Sequence, residues 1–259
     1  MIRIPQHDNY RTEGREISPL RRAFPSLFFY WRMMGIYLRS SRAAKAGRYG
    51  DEEWGMSSLE VLQALEEVGG HFDIEHMDSY RHLKEPCVFI GNHMSNLETF
   101  VLPCLIQPVM RVTFVVKESL IRYPVFRHVM RSRDPIVVGR KDPRQDLRAV
   151  LEGGQDRLER GISVIVFPQT TRKEIFDPAQ FNTIGVKLAR RAGVPVIPIA
   201  VKTDTWGKGR LLKDFGRIEP SRTAHFSFGP PIAVTGGGRE EHDEVIGFIQ
   251  QKLRQPAIA

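Results

Sequence analysis

The chain has 259 residues, 41% of them hydrophobic, with 38 Lys and Arg against 30 Asp and Glu and a formal net charge of +8. Length and composition exclude a disordered, collagenous or short-repeat protein and suffice for one large domain, or one domain with an appendage. The two cysteines, Cys87 and Cys104, form no C-x-x-C pair, which excludes a disulfide scaffold. Each reads as a small buried hydrophobe in a reducing compartment.

The positive charge is local. Residues 1–50 hold ten basic and three acidic side chains, whereas the remaining 209 hold 28 and 27. Inside the basic segment lies a dense apolar and aromatic run, Phe24 and Leu27 through Leu38, with Pro25 placed to start a helix. Arg32 interrupts the run, which is shorter than the ~20 apolar residues of a spanning helix. Two readings stand: a buried helix clasping the domain, or a monotopic helix whose rings lie at the headgroup boundary while its cations meet anionic lipid. A secretory signal is excluded, because charges precede and interrupt the run and no small-residue cleavage site follows. Nucleic acid is not an expected partner, since the charge accompanies a membrane-type run and no recognition motif appears.

A short helix is expected over 58–68, with Ser57 and Glu60 at capping-box spacing and Gly69-Gly70 ending it. The alternating stretch His71–His76 reads as a half-buried strand with a solvated face rather than a metal site. From residue 86 onward, strands are predicted at 87–91, 112–116, 135–138, 163–167, 194–200 and 224–228, several of them apolar without alternation. Helices are predicted between and after them at 98–106, 124–130, 142–160, 184–192 and 240–253. This alternation specifies an α/β fold, a mainly parallel sheet covered by helices on both faces, with an N-terminal membrane-facing helical segment. In such sheets the chemistry gathers at the carboxyl ends of the strands.

Four stretches fall at those ends. Gly91–Glu98 places His93 in a strand-end loop and Glu98 in the first turn of the next helix, where a carboxylate is favoured and can fold back onto the imidazole. Phe167–Arg172 offers an arginine and hydroxyls suited to a phosphate or a developing oxyanion. Val137–Arg140 delivers a second arginine, and Val194–Ala200 is an apolar run carrying Pro195 and Pro198. No G-x-S-x-G elbow supports a serine hydrolase, since Gly161-Ile162-Ser163 leads into a strand. No phosphate-binding P-loop is present, and Gly236-Gly237-Gly238 reads as a plain loop.

In this order the four stretches resemble the glycerolipid acyltransferase family, typified by the 1-acylglycerol-3-phosphate acyltransferases. The resemblance covers roughly residues 86–250. That family carries Asn-His-x-x-x-x-Asp, a strand ending in arginine, Phe-Pro-Glu-Gly-Thr-Arg and a Val-Pro-Val-x-Pro block. Lys117-Glu118 with Pro124, Phe181 with Gly185, and Phe228–Ile232 are smaller matches. Glu98 stands where the family has Asp, Gln169 and Thr170 stand for Glu and Gly, and Asn182 stands where a basic residue is common.

The resemblance implies a basic, aromatic membrane-association segment over 1–56 and an acyltransferase domain over 57–259. It implies O-acyl transfer from acyl-CoA or an acyl carrier protein thioester to a lysophospholipid hydroxyl, 1-acylglycerol-3-phosphate leading, in phospholipid biosynthesis. His93 and Glu98 would be catalytic. Arg140, Arg172, Thr171 and Asn92 would bind substrate, the two arginines converging on one cleft around the acceptor phosphate and Thr171 helping backbone donors to hold the oxyanion. No metal or resident cofactor is implied, and the expected location is the cytoplasmic face of an anionic membrane, peripheral or monotopic. The alternatives are a non-catalytic lipid-binding relative and a phospholipid-remodelling transacylase.

Overall fold

The apolar runs that lack alternation become strands covered on both sides. The computed structural model describes residues 7–123, 126–169, 171–209 and 213–254. In chain order its elements are β1 (Tyr10–Arg11), α1 (Pro19–Ala23), α2 (Pro25–Lys45), α3 (Asp51–Glu66), β2 (Phe72–Glu75), α4 (Asp78–Arg81), β3 (Val88–Gly91) and α5 (Leu97–Ile106). They continue with β4 (Val112–Lys117), α6 (Glu118–Arg122), α7 (Arg127–Ser132), β5 (Ile136–Val138), α8 (Pro143–Glu159) and β6 (Ser163–Val166). The last four are α9 (Ile184–Ala192), β7 (Val196–Lys202), β8 (Ala224–Phe228) and α10 (Arg239–Arg254).

The strands form one sheet in the order β1-β2-β8-β7-β3-β6-β4-β5. The ladders from β7 through β3, β6 and β4 to β5 are all parallel, while β7–β8 and β1–β2 are antiparallel. Alternate residues of β3 face opposite layers. Phe89 joins a core built with α2, α3 and α5 (Phe29, Leu62, Leu65, Leu102), whereas Val88 and Ile90 join one built with α8, α9 and α10 (Val150, Leu188, Val245, Ile249). The expected sheet, helix-covered on both faces, is the one observed.

Close approach of α9 to the sheet depends on Gly185, where an added Cβ would lie 2.6 Å from Ile90 Cδ1. On the other face, Ser58 Oγ accepts from Cys104 N at 2.8 Å and donates to Phe100 O. It thereby bridges the turn of α5 that contains Pro103.

Three expectations are corrected. The helix expected from Ser58 begins at Asp51: Gly50 is its N-cap, the Gly50 N–H donates to Glu53 at 2.8 Å, and three acids fill its first turn. The division at 56/57 therefore falls inside a continuous helix, and Phe29 from the N-terminal side is fully buried in the same core as Leu62. The helix expected from Pro124 is α7, and Pro124 itself lies outside the described residues.

Of the two readings of the N-terminal helix, the one in which it packs on the domain is seen on one of its faces, and the other face is exposed. Phe29, Met33, Ile36 and Tyr37 of α2 are buried against the domain. Leu27, Trp31, Met34 and Leu38 project outward, Trp31 being 80% exposed. Of the basic residues, Arg21 pairs with Glu67 and Arg39 with Glu60 of α3. No helix among the described residues is long and apolar enough to cross a membrane.

Candidate active site

β3 and β6 are parallel neighbours, so the loops that follow them emerge side by side. The β3 loop carries His93, and α5 opens with Glu98 fully buried in its first turn. His93 Nδ1 lies 2.9 Å from Glu98 Oε1, the contact expected from their spacing. The same oxygen accepts from the backbone N–H groups of Met94 (2.6 Å) and Ser95 (2.8 Å). Oε2 accepts from Ser95 Oγ (3.0 Å) and Thr203 Oγ1 (2.7 Å).

Burial alone would raise the Glu98 pKa. The hydrogen bond and electrostatic attraction between the carboxylate and His93, together with the Thr203 hydroxyl, outweigh that and hold it below the usual carboxylate value. An ionised Glu98 accepts the Nδ1 proton and fixes the tautomer, leaving the Nε2 lone pair free to take a proton. The imidazole is further fixed by stacking on Phe167, with ring centres 4.6 Å apart and planes 13° from parallel.

Further residues hold this pair, some adjacent in sequence and some distant. Ser95 and Glu98 stand at capping-box separation, and Ser95 Oγ accepts from Leu97 N at 3.0 Å while Glu98 takes the Ser95 N–H. The Ser-x-x-Glu spacing carries this contact in the sequence itself. Thr203 follows β7, whose end lies beside the end of β3, so it becomes visible only once strand order is known. Buried Gln169 accepts from the backbone N–H of His93 at 2.7 Å through Oε1, while its Nε2 has no hydrogen-bond partner among the described residues. Asn182 ties the same loop down, donating to Pro168 O at 2.5 Å and accepting from Ile184 N at 3.0 Å at the start of α9.

The expected substrate-binding residues divide. Arg172 lines a cleft of about 710 Å³ beside Met94, Ser95 and Asn96, with Lys173, Lys208, Lys213 and Arg222 also on its walls. Its guanidinium donates to Asn96 Oδ1 and pairs with Asp214. Asn92 does not face that cleft. It is buried, donates to Val201 O at 2.8 Å and accepts from Val201 N at 2.8 Å, so its amide extends the β3–β7 pairing by side chain.

Arg140 does not converge on the cleft either. It follows β5, the sheet's edge strand, three strand spacings or roughly 14 Å from β3; the Arg172 cleft is lined by the residues just after His93 rather than by His93 itself, and Arg140 has no place beside them. Its backbone is left-handed (φ 58°), and the N–H groups of Gly139 and Arg140 donate to the Asp146 carboxylate at 2.8 and 2.9 Å. Thr171 is exposed on the β6 loop. Thr170 lies outside the described residues.

A helix-covered, mainly parallel sheet with a buried carboxylate orienting a histidine at its carboxyl edge has the parts that general-base chemistry requires. Comparison with known proteins makes the class specific: the acyltransferase family model matches residues 71–202, about half the chain, and the protein belongs to that family. The chain is 32% identical over 156 residues to the 1-acyl-sn-glycerol-3-phosphate acyltransferase of Pseudomonas aeruginosa, a match covering 60% of this chain and 57% of the relative. It is 28% identical over 140 residues to a chloroplastic 1-acyl-sn-glycerol-3-phosphate acyltransferase of Brassica napus, covering 54% and 38%. The matches thus span less than two thirds of these relatives' own length. The crystal structure of the 1-acyl-sn-glycerophosphate acyltransferase PlsC from Thermotoga maritima shares the fold, with TM-score 0.65, 20% identity, and coverage of 92% of this chain and 98% of that one.

Proposed function

We propose that the protein transfers a fatty acyl group from an acyl thioester to the free hydroxyl of a lysophospholipid, with 1-acylglycerol-3-phosphate as the leading acceptor, in phospholipid biosynthesis. The observation that carries this reading is the His93–Glu98 pair, 2.9 Å apart on a fully buried carboxylate, in a chain whose relatives are named for that reaction. His93 Nε2 takes the proton of the acceptor hydroxyl as its oxygen attacks the thioester carbonyl. The tetrahedral intermediate collapses, the carbon–sulfur bond breaks, and the thiolate leaves with the proton that His93 held. Glu98 stabilises the imidazolium between these two transfers. Arg172 is the arginine for the acceptor phosphate, since it lines the cleft next to the His93 loop. The donor is acyl-CoA or acyl carrier protein.

The outward apolar stripe of α2, with Leu20 and Phe24 before it, supports peripheral attachment to the cytoplasmic face of a membrane. Arg21 and Arg39 are paired with Glu67 and Glu60, whereas Arg22, Arg32 and Arg42 make no ion pair among the described residues, so these three are the cations for anionic headgroups. Purified protein supplied with a panel of lysolipids, acyl-CoA and acyl carrier protein thioesters should yield phosphatidic acid from 1-acylglycerol-3-phosphate by mass spectrometry. Lipid binding without any product would make it a non-catalytic relative, and product without a thioester would make it a transacylase. Charge reversal at Arg22, Arg32 and Arg42 should release the protein from anionic vesicles in flotation, more readily in high salt. Unchanged flotation would refute the electrostatic part of the attachment.

A further inference from the structure

Arg172, the cation best placed for an acceptor phosphate, is already occupied. One terminal nitrogen donates to Asn96 Oδ1 and the other is paired with the Asp214 carboxylate. The two partners differ in kind. Asn96 is neutral, stands at the start of α5 two residues before Glu98, and also binds the Asp214 backbone, its Nδ2 donating to Asp214 O at 3.0 Å. Asp214 is charged, and its side chain is 63% exposed against 23% for Arg172. Asn96 is therefore sufficient to aim the guanidinium, while the carboxylate adds a negative oxygen that a solute can replace.

The segment carrying Asp214, between β7 and β8, is held at its base. Gly207 N donates to Arg217 O at 2.9 Å and Glu219 N to Thr205 O at 2.8 Å. Gly216 lies against the opposite arm, where a Cβ would fall 1.7 Å from Gly207 O. This strap is also fastened to α2: Tyr30 donates to Gly216 O at 2.5 Å, and Ser26 Oγ accepts from Ile218 N at 2.9 Å. The Tyr30 and Phe215 rings pack with centres 5.5 Å apart. These contacts fix the base from which Asp214 meets Arg172.

We propose that Asp214 is a carboxylate placeholder on Arg172, which the phosphate of the acceptor must displace, so that Asp214 sets the apparent affinity for anionic acceptors. The proposal rests on the acyl-transfer reading above for its substrate, and its test is arranged so that the two can fail separately. A phosphate oxygen pair competes well for a planar guanidinium, whereas a solvent-screened ion pair gives way readily. Removing the charge while keeping the shape should therefore tighten acceptor binding modestly.

The experiment compares wild type, Asp214→Asn, Arg172→Ala and the double variant. In steady-state assays with 1-acylglycerol-3-phosphate, Asp214→Asn should lower the acceptor KM about two- to fivefold, the range expected for a screened pair. The thioester KM should move by less than twofold, and the Asp214→Asn effect should vanish in the Arg172→Ala background. In parallel, inorganic phosphate titrated by ligand-observed NMR should bind Asp214→Asn more tightly than wild type by a similar factor. An acceptor KM and a phosphate affinity that are unchanged or weakened in Asp214→Asn would overturn the proposal and leave Asp214 as an orienting partner of Arg172. Should wild type acylate no lysolipid, the acyl-transfer reading fails, and the phosphate titration alone still decides the role of Asp214.

Discussion

Replacing Glu98 with Gln tests the centre of the site. The carboxylate receives five donors: His93 Nδ1, Met94 N and Ser95 N on one oxygen, and the Ser95 and Thr203 hydroxyls on the other. A Gln carbonyl can keep the first three. Its NH2 then faces two hydroxyls that can rotate to accept, so the loop keeps its shape. Lost is the negative charge. Five charge-assisted bonds become neutral ones while a buried anion is removed, and the two effects oppose each other, leaving a net stability cost of about 1–3 kcal/mol. Catalysis has no such offset. An amide cannot stabilise the imidazolium formed as His93 takes the acceptor proton, and general-base assistance is worth roughly 10²–10⁴-fold. We therefore expect kcat to fall at least about a hundredfold, some 2.7 kcal/mol of barrier, with the acceptor KM changed little. The assay is initial rate at saturating lysolipid and thioester, read by mass spectrometry, alongside circular dichroism and thermal melting to show a retained fold. A variant with a native melt and a kcat within threefold of wild type would refute the dyad.

The remaining predictions concern what holds the site in place. Asn92→Ala should cost about 2–4 kcal/mol by urea unfolding, because both polar groups of buried Val201 lose their partner; an acceptor KM raised with stability intact would restore Asn92 to substrate binding. Gly185→Ala should destabilise by about 1–2 kcal/mol despite the better helix propensity of Ala, since its Cβ meets Ile90 Cδ1 at 2.6 Å. Burial pushes the Cys87 and Cys104 thiols up to about 12, so native protein at pH 8 should leave a thiol reagent unreacted and release two thiols only after unfolding. Lys252 of α10 holds the Glu75 carboxyl below its ordinary value of 4.5. A depressed folded pKa stabilises above the unfolded value, so wild type should exceed Glu75→Gln by about 1 kcal/mol near neutrality. That margin should shrink as pH falls from 4.5 through the lowered folded value; a margin independent of pH would show that the ion pair does not hold α10 to β2.

Local pattern carried much of this fold. The strand at Ala224–Phe228 and the helix at Ile184–Ala192 have the boundaries expected of them, and the other central strands differ by one or two residues. The His93–Glu98 contact was equally legible, because five residues of loop and first turn nearly dictate that a carboxylate meets the imidazole. What was not legible depends on partners far along the chain. Asn92 is decided by Val201, 109 residues away, and the β6 loop glutamine by a backbone N–H 76 residues away. The N-terminal helix was ambiguous for a different reason. Apolar residues surround most of α2, and only the packed domain shows which of them face inward.

The misplacement of Arg140 follows from strand order, which no single sequence displays. β5 lies between β4 and β6 in the chain, yet in the sheet it lies outside both, because β6 enters between β3 and β4. An arginine after β6 therefore reaches the His93 loop, and one after β5 stands at the edge with its backbone turned by Asp146. On the proposed reading, the positive field at the acceptor is supplied instead by the β6 loop, through Arg172 and Lys173, and by the strap, through Lys208 and Lys213. The strap also brings Asp214, so the cations and the carboxylate that restrains one of them arrive on the same segment. Headgroup selectivity in this chain then depends on that segment and on its fastening to α2, the helix whose other face carries Trp31 outward. A change at Tyr30 or Ser26, far from His93 in sequence, should therefore move the acceptor KM before it moves the rate of acyl transfer.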